Sequence, residues 1–90
     1  MTISRADRRR GRSGRAHQEF GGDAEAALDL LELTEMAWHD CFGEITPPDS
    51  VIEDIWTVSA GDLRELVHAA RLAVTDHRDL RVAADRLRQT

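Results

Sequence analysis

The sequence predicts an all-α fold: a hairpin of two long antiparallel helices with a short connecting helix, completed as a bundle by dimerisation. Three observations carry that expectation. In the last third of the chain, Leu63, Leu66, Ala70, Ala73, His77, Leu80, Ala84 and Leu87 step by 3, 4, 3, 4, 3, 4 and 3. That is a heptad seam over four heptads, the pattern of a helix lying along other helices. Residues 23–42 form a second amphipathic stretch, and the composition is rich in Ala, Leu, Arg and Glu with no Tyr, two Phe and two Pro. Ninety residues allow a single domain. A core drawn from about 70 of them is marginal without a disulfide, a metal or a partner. The one cysteine, Cys41, excludes an internal disulfide, so a homo-oligomer or a protein partner is expected.

Residues 1–22 read as a disordered, Arg-rich arm, with Gly11, Gly14, Gly21 and Gly22 and almost nothing apolar to bury. The α-helical domain is expected over residues 23–90. Asp23 is suited to the N-cap of the first helix, Glu25 to its first turn and Gly43 to the left-handed position that ends it. At 100° per residue, Ala26, Ala27, Leu30, Leu31, Leu33, Ala37, Trp38, Cys41 and Phe42 share one half of that helix. Glu25, Asp29, Glu32, Glu35, His39 and Asp40 share the other, an acidic ridge directed to solvent. Cys41 is thereby expected to be buried and inert.

Thr46-Pro47-Pro48-Asp49 marks a second start, with Thr46 as N-cap and Pro47 in the first turn, where a missing N–H costs nothing. Val51, Ile52, Ile55 and Trp56 give this short helix, 47–57, an apolar face, and Trp56 and Trp38 are expected to close the core. Ser59-Ala60-Gly61-Asp62 reads as an S-x-x-D cap for the last helix, 60–89. Val74-Thr75-Asp76-His77 is its weak point, but the heptad phase runs through without a skip, which favours one continuous helix. His77 then sits inside the seam as a polar residue that fixes register.

The net charge of −5 conceals a segregation along the chain. Residues 1–20 carry six Arg and two acids, a net of +4. Residues 21–62 carry eleven acids and no base, −11, and residues 63–90 carry six Arg and four acids, +2. All twelve basic residues are Arg, a bias expected of GC-rich bacterial genomes. No apolar run approaches the ~18 residues of a membrane span. The Arg8-Arg9-Arg10 run is not followed by the apolar segment of a signal peptide, so a cytoplasmic location is expected.

No Gly-rich phosphate loop, zinc-ligand spacing or nucleophile elbow is present, and no enzyme activity, cofactor or metal is expected. Trp38-His39-Asp40-Cys41 lists reactive side chains, but neighbours on a helix diverge by about 100° and cannot assemble a triad. The function expected is a non-enzymatic interaction or regulatory role exerted through charged helix faces. Arg64, Arg71 and Arg78, spaced by seven with no acid three or four residues away, form a column beside the seam. The acidic ridge of this chain or of a second copy is the expected counterpart. Leu72 and Val82 lie off the seam and suggest a second apolar face, so these five residues are the candidate partner-binding set.

The alternative is a nucleic-acid-associated regulator acting through Arg8, Arg9, Arg10, Arg12 and Arg15 by counterion release. Arg10-Gly11-Arg12 resembles the centre of an AT-hook, with Ser13 where the hook has Pro; that resemblance implies arginines entering a minor groove. A third reading starts from Glu65-x-x-His68 on one helix with Glu32 on another. This set is similar to the ligands of half-ferritins, which implies a metal site shared between subunits. In the heptad phase, however, Glu65 and His68 face away from the seam, as Glu32 faces away from its own apolar half.

Overall fold

The computed structural model describes residues 3–89, and all the regular structure among them is helical. Four α-helices follow one another: α1 (Arg5–Phe20), α2 (Ala24–Phe42), α3 (Asp49–Ser59) and α4 (Leu63–Arg88).

The largest departure from the sequence expectation is α1, which replaces the disordered arm. Its start is a capping box: the Asp7 N–H donates to Ser4 Oγ at 3.1 Å and the Ser4 N–H to Asp7 Oδ2 at 3.4 Å. Hydrogen bonding from the Ser4 side chain and backbone N–H holds the Asp7 carboxyl below the ordinary range. Gly11 and Gly14 weaken the helix intrinsically, and only Ala16 and Phe20, both near its end, are buried. What sequence propensity omitted is a docking surface, because the arginines of α1 recur at helical spacing and lie against the acids of α2. Met1 and Thr2 of the expected arm, and Thr90 of the expected domain, lie outside the described residues.

A single 3-10 turn, Gly21–Asp23, returns the chain into α2, so the antiparallel hairpin is α1 with α2. α2 ends as anticipated, with Gly43 in the left-handed conformation at φ 74°. Its buried face is rotated relative to the expected one. Leu28, Thr34 and Glu35 are buried beside Ala27, Leu31 and Trp38, while Leu33, Cys41 and Phe42 are exposed. Burial is shared between α1 on one flank and α4 on the other, so neither half of α2 is simply outside.

α3 begins two residues later than the Thr46 cap implied: Pro48 occupies the N-cap position, while the Thr46 hydroxyl donates to Glu35. Val51, Ile52, Ile55 and Trp56 are buried as expected. Ser59 closes α3 instead of opening α4, its Oγ donating to the Trp56 carbonyl at 3.0 Å. Ala60 and Gly61 both take positive φ, and Asp62 caps α4 by accepting from the Arg64 N–H at 2.8 Å and the Glu65 N–H at 3.2 Å. A Cβ on Gly61 would stand 2.5 Å from the Glu19 carbonyl oxygen. Glycine here lets the α3–α4 turn press against the last turn of α1.

α4 is not continuous. Asp76, at φ −159° and ψ 82°, breaks it into segments 63–75 and 77–88, and the Asp76 side chain caps the second by accepting from the Asp79 N–H at 3.2 Å. The polar, β-branched Thr75-Asp76 pair thus prevails over the heptad phase. The second segment folds back over α3, where Arg81 and Arg88 reach Asp54. Most of the seam stays buried through Leu66, Ala70, Ala73, Leu80 and Ala84, whereas His77, beside the break, is exposed. Trp38 and Phe42 at the end of α2 meet His77 at ring distances of 5.7 and 5.9 Å. Leu30 to Ala37 share a groove with Val67 to Val74. α2 and the first segment of α4 therefore run in the same sense, with α3 between them in sequence running back, and the expected antiparallel pairing of the two long helices is corrected. No helix among the described residues is long and apolar enough to cross a membrane.

Candidate interaction surface

The charges of α1 and α2 meet within the chain. Arg9 Nη2 donates to Glu25 Oε2 at 2.6 Å, and Arg9 Nη1 lies 2.8 Å from Asp29 Oδ1 and 3.2 Å from Glu32 Oε1. Arg15 pairs with Glu19 at 2.6 Å and with Glu53 of α3 at 2.8 Å, its guanidinium carbon 4.8 Å from the Trp56 ring centroid. Arg10 pairs with Asp7 on its own helix. The five arginines considered for nucleic acid are therefore all engaged with carboxylates, and the segment Arg10-Gly11-Arg12 is helical.

The centre of this network is Glu35, which the sequence placed on the solvent-facing ridge and which is fully buried. Arg8 donates to it from Nε (2.6 Å) and Nη2 (3.1 Å), Arg12 from Nη1 (2.9 Å), and Thr46 from Oγ1 (3.0 Å), with Arg5 Nε at 3.7 Å. Burial pushes the Glu35 carboxyl up, but the hydrogen bonds from Arg8, Thr46 and Arg12 outweigh it and hold the group below the ordinary carboxylate range. The sequence signal was the matched spacing of Arg5, Arg8 and Arg12 on one stripe of a helix. Glu35 fixes α1 and the 43–48 loop to α2; it is a structural group.

A second buried acid, Asp54 of α3, accepts from Arg81 Nε at 2.8 Å. Arg88 Nη1 lies 2.9 Å from its other oxygen as an ion pair. Glu35 is closed to any ligand, whereas Asp54 borders a cleft between α2, α3 and α4.

The arginines of α4 behave differently. Among the described residues no carboxylate pairs with the side chains of Arg64, Arg71 or Arg78, and all three are exposed. Four acids of the ridge expected to meet them, Glu25, Asp29, Glu32 and Glu35, are instead paired with arginines of α1. Arg64, Val67, Arg71 and Val74 step by 3, 4 and 3 along one stripe of α4. That stripe borders a shallow groove of about 230 Å³ lined also by Leu30, Leu33 and Ala37 of α2. Leu33 is 58% exposed and Val67 52%, so this face presents large apolar side chains beside unmatched positive charge. Of the other expected partner residues, Leu72 packs partly buried against the core instead of standing in solvent, while Val82 is exposed.

Glu32, Glu65 and His68 do not come together. Glu32 is held by Arg9, Glu65 and His68 are exposed on α4, and no group of three or more potential ligands forms among the described residues. Cys41 is exposed, which corrects the expectation of a buried thiol.

No protein-family model, curated protein or solved structure matches the chain.

Proposed function

We propose that this protein is a non-enzymatic interaction protein of the cytoplasm that presents the α2–α4 face to an acidic, amphipathic helix of a partner protein. One observation carries the reading: exposed Leu33 and Val67 border a groove lined by Arg71, with Arg64 further along the same stripe of α4, and neither arginine has a carboxylate partner among the described residues. Apolar side chains on a small domain are ordinary when scattered, but adjoining ones rimmed by unmatched charge are the composition of a docking face. A partner helix would lay its apolar stripe in the groove and set Glu or Asp against the arginines.

Self-association through the same face is the second reading. Asp40 lies seven residues beyond Leu33 on α2, so a second copy would offer an acid to Arg71. The nucleic-acid reading has less support, since the arginines of α1 are already neutralised within the chain.

The test uses a synthetic peptide helix with Leu and Glu at alternating helical stripes, titrated by fluorescence anisotropy, with sedimentation velocity of the protein alone. Saturable binding that Leu33→Ser and Arg71→Glu each weaken about tenfold or more supports the partner reading. A dimer dissociated by the same substitutions supports the second. A monomer that ignores the peptide ends both.

A further inference from the structure

A separate cleft of about 490 Å³ opens where α2, α3 and the break in α4 converge, a volume within the range of small-molecule sites. Its floor is aromatic. Trp38 and Phe42 meet tilted at 43° with ring centroids 4.2 Å apart, and His77 closes the cluster from α4. Trp38 is buried and fixed, its Nε1–H donating to Glu44 Oε1 at 3.1 Å, whereas Phe42 remains 45% exposed and offers part of its ring to the cleft.

The charges around the cleft are unequal in their commitments. Asp54 lines it but is matched by Arg81 and Arg88. Glu44 accepts from the neutral indole N–H and keeps its own negative charge at the edge of the cleft. Arg78 lines the same wall with no carboxylate partner among the described residues. An aromatic floor beside one unmatched guanidinium suits a flat ring that carries a single negative charge: the ring stacks on the aromatic cluster, and the anion takes the guanidinium's paired N–H donors.

The geometry points to a binding site for small planar aromatic carboxylates in this cleft, with the exposed part of Phe42, backed by the buried Trp38, receiving the ring and Arg78 the carboxylate. The site is distinct from the α2–α4 groove and does not depend on it.

The probe is naphthoate, with naphthalenemethanol as its uncharged counterpart, titrated at millimolar concentrations against the full chain and followed by NMR at the Trp38 indole N–H and the His77 and Arg78 amides. Saturable shifts confined to these positions are expected, with naphthoate favoured over the alcohol by about tenfold. Arg78→Gln should erase that preference, Phe42→Ala should weaken both probes, and Arg64→Gln should change nothing. Phe42 and Arg78 are exposed, so neither substitution removes core, and the unchanged amide spectrum elsewhere verifies folding. Absence of saturation, shifts scattered over the chain, equal affinity for the alcohol, or an unchanged preference in Arg78→Gln would each overturn the assignment.

Discussion

One buried acid and one glycine concentrate the consequences of single substitutions. Removing Glu35 leaves Arg5, Arg8 and Arg12 facing one another without their shared carboxylate. Breaking a buried charge cluster costs about 3–5 kcal/mol, so Glu35→Ala is expected to lower the urea midpoint by a large fraction of the domain's stability. The same group sets an acid limit. Its folded pKa lies below the ordinary 4.5, so the stabilisation is complete above the unfolded value and is lost as pH falls through the folded one. Wild type should therefore lose stability steeply under acid, and Glu35→Gln should flatten that slope in denaturation series at stepped pH. Gly61 is the second sensitive point. Alanine there meets both left-handed backbone strain and the Glu19 carbonyl, for an expected loss of about 2–4 kcal/mol by thermal unfolding.

At the level of elements, the attachment of α1 asks which of its contacts matter. Arg9 touches three acids but all near the surface, where each pair is worth about 0–1 kcal/mol. Arg8 touches one acid, fully buried, and its loss strips two hydrogen bonds from a charge with no access to water. Arg9→Ala is accordingly expected to cost under about 1 kcal/mol and Arg8→Ala about 2–3 kcal/mol; equal costs in urea titrations would contradict this account. Elements were legible in the sequence where the signal was local. Gly43 ends α2, the Pro-Pro pair precedes α3, and the apolar face of Val51, Ile52, Ile55 and Trp56 is buried. Reading failed where two local signals looked alike. Ser4-x-x-Asp7 and Ser59-x-x-Asp62 share one pattern, yet the first is a capping box and the second is the end of one helix and the cap of the next. What distinguishes them is tertiary: arginines lying on acids in the first case, a glycine pressed on α1 in the second. The groove arginines were visible as a spacing, but their freedom from partners depended on α1 taking the acidic ridge first.

The whole molecule is two local hairpins set against each other: α1 with α2, and α3 with the two segments of α4. Phe20 bridges them by packing on Trp56 at 6.1 Å between ring centroids, with Arg15 over the same indole and Gly61 against Glu19. The separation of charge along the sequence is partly matched inside the chain, the positive first block (+4) closing over part of the negative second (−11), and acids such as Asp40, Asp49 and Asp62 stay exposed alongside the arginine surface of the third. The turns that make the hairpins have a further consequence. Each spans only three residues, Gly21–Asp23 and Ala60–Asp62, so the main partners of each helix are its neighbours along the chain. Such short separations cost little loop entropy, and helical domains built this way refold in microseconds to milliseconds. The slow event is then the meeting of the two hairpins at Trp56, where stopped-flow measurements would register the burial of the indole as the last step.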